Sequence, residues 1–210
     1  MLIVGAKGFA KEVLEIIYQN GANEKICFYD DVSHDSPTML YSKFRVLKSE
    51  LEAKIYFKES GSQFTLGIGN PKLRFKLFEK FEALGGYFES TISKQAEIGS
   101  FGVEIDPGCN ILSGVRISND VTIGIGTMIY YNSIIAHDVQ IGNFCELSPG
   151  VTLLGRCKLG DFVQVGAGSI IFPDVEIGSN SIIAAGAVVR ENIPENVMVA
   201  GVPAVIKRNL

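Results

Sequence analysis

The chain carries 2 histidines, and one of them is followed directly by a carboxylate, in Ile135-Ala136-His137-Asp138. An imidazole titrates near neutral pH, so it can take a proton from an attacking amine or hydroxyl. A carboxylate beside it can fix the ring tautomer and stabilise the imidazolium that forms. The pair therefore fits a general base for group transfer. It fits a plain surface histidine equally well, and the two residues alone do not separate these readings. The other histidine, His34, stands in the polar run Ser33-His34-Asp35-Ser36, where solvation is expected.

What positions His137 is a repeat. From Ile105 to Val189 every sixth residue is Ile, Leu or Val, and four residues after each stands a small or β-branched residue, from Cys109 through Val139 and Cys157 to Ala187. Neither the period of a flat strand nor that of a helix gives this pattern. A six-residue repeat marks a parallel β-helix, in which three hexapeptides make one triangular coil and each coil buries its aliphatics only against its neighbours. Gly follows the aliphatic at 124, 142, 160, 166 and 178, as a sharp corner would favour. Cys109, Cys145 and Cys157 fall in the small internal register, and Cys27 falls in a strand-like run, Ile26-Cys27-Phe28-Tyr29. All four read as small buried apolar residues rather than metal ligands. His137 lies two residues after an internal aliphatic, so its side chain should point out of the prism. Gly155 follows it by 18 residues, one full coil, and should stack on the same edge.

Residues 1–92 follow a different grammar from residues 93–210. Leu2-Ile3-Val4 reads as a strand, Gly5-Ala6-Lys7-Gly8 as a turn, and Phe9 to Gln19 as a helix with Val13, Leu14, Ile16 and Ile17 on its apolar side. Lys25 to Tyr29 and Phe64 to Leu66 are further strands, and residues 32–43 read as a loop. Pro71 opens a helix running to about Leu84, and Tyr87 to Ile92 leads into the prism, whose first coil, Ser93 to Asp106, looks irregular. Alternating strands and helices argue a small parallel α/β sheet.

A strand, a Gly turn and a helix N-terminus together make an anion site. Here Lys7 and Ala10 break the dinucleotide fingerprint, and the sheet is small, so a mononucleotide fits better. Asp30 and Asp31 stand at a strand end, where an acid can meet ribose hydroxyls or a base N–H; the alternative is a solvated acid pair. The second Gly turn, Gly67-Ile68-Gly69-Asn70, closes the third strand.

Composition sets the outer limits. A 210-residue chain, 47% hydrophobic, can build a sizeable core as one or two domains. Its net charge of −4 argues against nucleic acid or an anionic membrane as partner. Met1 to Lys7 is too short and too soon charged for a signal peptide, and no run reaches the ~18 apolar residues of a membrane span. A soluble cytoplasmic protein is the expectation.

Three stretches carry a resemblance. Gly5-Ala6-Lys7-Gly8-Phe9-Ala10-Lys11-Glu12-Val13, Gly67-Ile68-Gly69-Asn70 and Gly201-Val202-Pro203-Ala204, with the hexapeptides between, resemble the bacterial hexapeptide sugar acyltransferases. That group holds the sialic-acid O-acetyltransferases and the enzymes that N-acetylate nucleotide-linked 4-amino sugars, as in bacillosamine and perosamine synthesis. The resemblance covers essentially the whole chain. It implies a left-handed β-helix, against the general right-handed rule for parallel crossovers. It implies a nucleotide sugar in the α/β domain, at Gly8, Phe9, Asp30, Asp31, Gly69 and Asn70. It further implies acetyl-CoA as co-substrate along the prism, between subunits of a homotrimer, with no metal.

By register with the family, His137 is the base, Asp138 its acid partner, and the Gly155 N–H the oxyanion donor. Gly155, Ala167, Gly186, Pro203 and Lys207 then lie along the CoA, with Arg208 beside Lys207 in a basic tail. Two positions depart from the bacillosamine-type pattern. Phe9 and Glu146 stand where those members carry histidines, so Glu146 is either a substrate contact or a surface acid. The function implied is acetyl transfer from acetyl-CoA to the amine of a nucleotide-linked sugar; the alternatives are a sialic-acid-type O-acetyltransferase and a non-catalytic β-helix binding protein. A γ-type carbonic anhydrase of this shape needs three zinc-ligating histidines, which this chain cannot supply. An ice-binding face needs a regular Thr ladder, and Thr122, Thr127 and Thr152 make none.

Overall fold

A computed structural model of the chain describes residues 1–21, 25–33 and 37–210; the reading of His34 lies outside the described residues. The chain forms two compact units, Met1–Thr91 and Ile92–Leu210.

The first unit is built on β1 (Leu2–Val4), α1 (Gly8–Gln19), β2 (Cys27–Tyr29), β3 (Met39–Leu40), β4 (Phe44–Leu47), α2 (Glu50–Ser60), β5 (Gln63–Leu66), α3 (Pro71–Ala83) and β6 (Tyr87–Phe88). The sheet order is β3-β4-β2-β1-β5-β6. All neighbours are parallel except the β3–β4 hairpin at the edge. β1 and β2 are buried throughout, as central parallel strands must be. α1 packs Ala10, Val13, Leu14, Ile16 and Ile17 inward. The chain leaves β1 toward β2 on one side and β5 lies on the other, so a crevice opens at the strand C-termini around β1.

β3 lies within residues 32–43, which read from sequence as a loop, and β4 and α2 fall in a stretch to which the sequence reading assigns no element. β3 is only two residues long, and α2 buries just Ala53 and Phe57, so its apolar stripe is too thin to show as a period. Its start is nonetheless marked. Ser49 Oγ accepts from Glu52 N at 3.3 Å, and Glu52 Oε2 accepts from Lys48 N at 2.6 Å, a variant of the S-x-x-E capping box.

The second unit is a three-faced prism. Its first face stacks Thr91–Ile92, Asn110–Ile111, Met128–Ile129, Glu146–Leu147, Gln164–Val165, Ile182–Ile183 and Val197–Ala200. The second stacks Glu97–Ile98, Arg116–Ile117, Ile134–Ile135, Thr152–Leu153, Ile170–Ile171 and Val188–Val189. The third stacks Glu104–Ile105, Thr122–Ile123, Gln140–Ile141, Lys158–Leu159 and Glu176–Ile177. The second residue of nearly every pair is buried, and so are the small residues four positions on: Val139, Cys145, Val151, Cys157 and Val163 are fully enclosed. Each fully buried aliphatic contributes roughly 1.5–3 kcal/mol, and together they make one continuous core. The first coil carries its strands; its irregularity is a single extra residue between Ile98 and Ile105.

The glycines after the aliphatics have a different cause from the one expected. The left-handed corner residues fall two positions later, at Gly126, Phe144, Phe162, Gly168 and Asn180. At Gly142 the need is close approach: a Cβ there would sit 2.6 Å from the Gly160 carbonyl carbon of the next coil. The segment after Ala204 is likewise not a free tail. Val205–Asn209 is a strand antiparallel to Val197–Ala200, joined to it through the Gly201–Ala204 turn.

Candidate active site

His137 sits on the edge between the second and third faces, after the strand Ile134–Ile135. Its side chain is 56% exposed and that of Asp138 52%. Extended neighbours point to opposite sides of a chain. Asp138, however, adopts the left-handed conformation, at φ 59°, which Asp tolerates better than most residues. Here the two side chains meet: His137 Nδ1 and Asp138 Oδ2 are 2.6 Å apart. A carboxylate on Nδ1 favours the tautomer with its proton there, which leaves Nε2 as the basic nitrogen.

Gly155 lies one coil on, against the imidazole. A Cβ built at Gly155 would stand 2.7 Å from both Cε1 and Nε2 of His137, so any other residue would displace the ring. The neighbouring amides are used: Leu154 N donates to Ile171 O at 3.0 Å and Arg156 N to His137 O at 3.0 Å. Among the described residues the Gly155 N–H has no hydrogen-bond partner, although the residue is buried. A buried, unpaired amide is costly, and it is a donor available to a developing oxyanion. A proton acceptor and an amide donor thus share one corner. Among the described residues no group of three His, Cys, Asp or Glu comes together.

The other predicted prism residues lie elsewhere on its surface. Glu146 is on the first face, half a coil from His137, where its Oε1 accepts from Ser148 Oγ at 2.7 Å. Ala167 and Gly186 share the edge between the first and second faces, with Gly186 N donating to Ala167 O at 2.8 Å. A side chain at Gly186 would meet open space. Within one prism Gly155 therefore lies on a different edge from Ala167 and Gly186. Pro203 lies in the closing turn, and Lys207 and Arg208 project from the last strand, exposed.

In the α/β unit a cavity of about 240 Å³ opens at the crevice around β1, lined among others by Gly5, Lys7, Tyr29, Asp30, Asp31 and Ile68. Of the predicted substrate contacts, Asp30 and Asp31 line it; Gly8, Phe9, Gly69 and Asn70 are not among its lining residues. Phe9 packs against the α/β core. Asn70 caps α3, its Oδ1 accepting from Leu73 N at 3.0 Å.

The two acids differ. Asp30 Oδ1 accepts from Val32 N at 3.2 Å and Ser33 N at 2.9 Å, closing the turn after β2. Asp31 Oδ2 accepts from Tyr29 Oη at 2.7 Å and Lys80 Nζ at 3.0 Å. Burial pushes the Asp31 carboxyl up, but these two bonds outweigh it and hold it below the usual carboxylate range. Burial and the hydrogen bond to Asp31 push the Tyr29 phenol up to about 12. For Lys80 burial opposes the charge, yet Asp31, Tyr29 and Glu50 raise its pKa above normal. Sequence reasoning missed Lys80, one of several lysines on a charged helix with no local signal to set it apart.

The PglD N-terminal domain family matches residues 1–81, and the bacterial transferase hexapeptide family matches residues 120–155 and 156–191. The GDP-perosamine N-acetyltransferase of Escherichia coli O157:H7 is 30% identical over 205 residues, covering 95% of this chain and 81% of that protein. The crystal structure of PerB from Caulobacter crescentus in complex with CoA and GDP-perosamine superposes with a TM-score of 0.90 at 30% identity, over 99% of this chain and 96% of that one. The acetyltransferase domain of PglB from Neisseria gonorrhoeae, in complex with acetyl coenzyme A, gives a TM-score of 0.88 at 26% identity, over 98% of each chain. Similarity on this scale, running through both units and not the repeats alone, places the chain: it belongs to the hexapeptide-repeat sugar acetyltransferases that carry a PglD-type domain ahead of a left-handed parallel β-helix.

Proposed function

We propose that the protein transfers the acetyl group of acetyl-CoA to the amine of a nucleotide-linked amino sugar. The observation that carries this is the pairing of His137–Asp138 with the unpartnered Gly155 N–H, in a chain similar along its length to enzymes of that activity. The α/β cavity takes the nucleotide. At the prism corner the amine attacks the thioester carbonyl and His137 Nε2 takes its proton, while the Gly155 N–H stabilises the tetrahedral oxyanion. The C–S bond then breaks and the imidazolium returns its proton to the departing thiolate. Asp138 orients the ring and stabilises its charged form. A panel of GDP-, UDP- and dTDP-linked amino sugars, assayed by release of the CoA thiol, tests this reading. Turnover on at least one is expected; silence on all, with activity on free sialic acid, would replace it with O-acetylation.

The active unit in this reading is a homotrimer. His137 stands on an exposed corner, and the candidate CoA residues Ala167 and Gly186 occupy a different edge. A second prism set against the first brings one copy's base beside another copy's CoA edge. Ile134, 45% exposed beside the His137 corner, supplies apolar surface for that contact. Light scattering should give the mass of three chains, and an active monomer would contradict it. Lys207 and Arg208, beside the Pro203 turn, are the cations we assign to the CoA phosphates. Such an enzyme works in the cytoplasm, where its co-substrate is made; no helix among the described residues is long and apolar enough to cross a membrane.

A further inference from the structure

We infer that Lys80 is a positioning residue for nucleotide binding: with Tyr29 it fixes Asp31 as an acceptor for a hydrogen donor of the nucleoside. This rests on the reading that the α/β cavity holds the nucleotide. Asp31 lines that cavity and Lys80 does not, so Lys80 can act on a ligand there only through another group. Its ammonium reaches Asp31 Oδ2 at 3.0 Å, Tyr29 Oη at 3.2 Å and Glu50 Oε1 at 3.3 Å. It also lies 5.3 Å from the Tyr29 ring centroid. Tyr29 is itself buried, 2% exposed and edge-on to Phe81 at 4.8 Å. The Lys80 ammonium, in the last turn of α3, thus ties together groups from the end of β2 and the first turn of α2.

The clamp determines what Asp31 can bind. The bonds from Tyr29 and Lys80 both fall on Oδ2; Oδ1, which takes no side-chain bond among the described residues, is the oxygen we assign to a ligand. An ionised carboxylate only accepts, so it attracts an N–H or O–H and repels phosphate. Lys7, in the Gly turn before α1, lines the same cavity and has the opposite preference. A cavity with a cation on the helix-N-terminal turn and a fixed anion at the end of the adjacent strand suits a ligand with phosphate at one end and hydrogen donors at the other. The donor is a base N–H or a ribose O–H; the chemistry is shared, and the experiment separates the two sources. Holding the acceptor in place before binding removes the ordering cost that a free Asp side chain would add.

The test is calorimetric titration of the full chain with GDP, dGDP and UDP, in wild type and in Lys80→Met, Lys80→Arg and Asp31→Asn. Lys80→Met and Asp31→Asn should each weaken the best nucleotide about 10-fold, the scale of one charge-assisted hydrogen bond. The double variant should be little worse than either single, since both act on one contact. Lys80→Arg should restore most of the affinity. Acetyl-CoA binding should not move, and in turnover the KM for the nucleotide sugar should rise with kcat held. If the donor is a ribose hydroxyl, a difference between GDP and dGDP in wild type disappears in Asp31→Asn; if a base N–H, any such difference survives. Wild-type nucleotide affinity in both Lys80→Met and Asp31→Asn would overturn the inference while leaving the nucleotide site intact. A parallel loss of acetyl-CoA binding in Lys80→Met would also overturn it, as general destabilisation. If the wild type binds none of the three nucleotides, the nucleotide reading of the cavity falls, and this inference with it.

Discussion

Replacing His137 by Ala is expected to lower kcat by ~10²–10⁴-fold, the usual worth of a positioned general base, with little change in affinity for acetyl-CoA. The attacking nitrogen must shed a proton as it bonds to the thioester carbon, and Nε2 is the basic atom at the corner. Packing should survive the change, because the side chain is more than half exposed and contributes nothing to the prism core. Asp138→Asn should cost less, since it orients and stabilises the ring without itself moving the proton. A His137→Ala enzyme near wild-type rate would remove this corner from the mechanism.

Gly155→Ala is the second large effect, and its size follows from a single added carbon. The new Cβ would stand 2.7 Å from two atoms of the His137 ring, a distance that real contacts do not adopt. Gly155 is not in the left-handed region, so alanine brings no backbone strain and the clash falls on the imidazole. The ring faces solvent and can swing out, which separates the base from the amide donor beside it. A drop in kcat of roughly 10²–10³-fold is expected, comparable to losing an oxyanion donor, with the melting temperature nearly unchanged. Steady-state kinetics beside a thermal melt reads both. Full activity in Gly155→Ala would mean that the ring and the amide do not work as a unit.

The prism and the α/β unit differed in how openly their sequences spoke. In the prism each side chain's environment recurs every six residues, so the inward positions, the buried cysteines and the stacking of Gly155 on His137 were all legible from spacing. Spacing also puts Ala167, 12 residues after Gly155, two thirds of a coil on and so on a different edge. In the α/β unit each element occurs once. β1, α1 and α3 announced themselves through apolar runs, Gly turns and Pro71, whereas α2, with two buried residues, did so only through Ser49 and Glu52. The neighbours Asp30 and Asp31 look alike in sequence; the structure commits one to the turn after β2 and the other to a clamp. That clamp depends on Lys80, distant in sequence from Asp31, and no local pattern announces a long-range ion pair.

The central claim is that the acceptor is an amine on a nucleotide-linked sugar. The direct measurement compares a matched pair, the nucleotide-linked amino sugar that turns over best and its analogue with hydroxyl in place of amine, with product mass and NMR recorded for each. The account predicts one acetyl group gained on the amino sugar, as an amide, with the hydroxyl analogue unchanged and the reaction lost in His137→Ala. Ester formation on the hydroxyl analogue or on a free sugar, with the amine left unmodified, would contradict it.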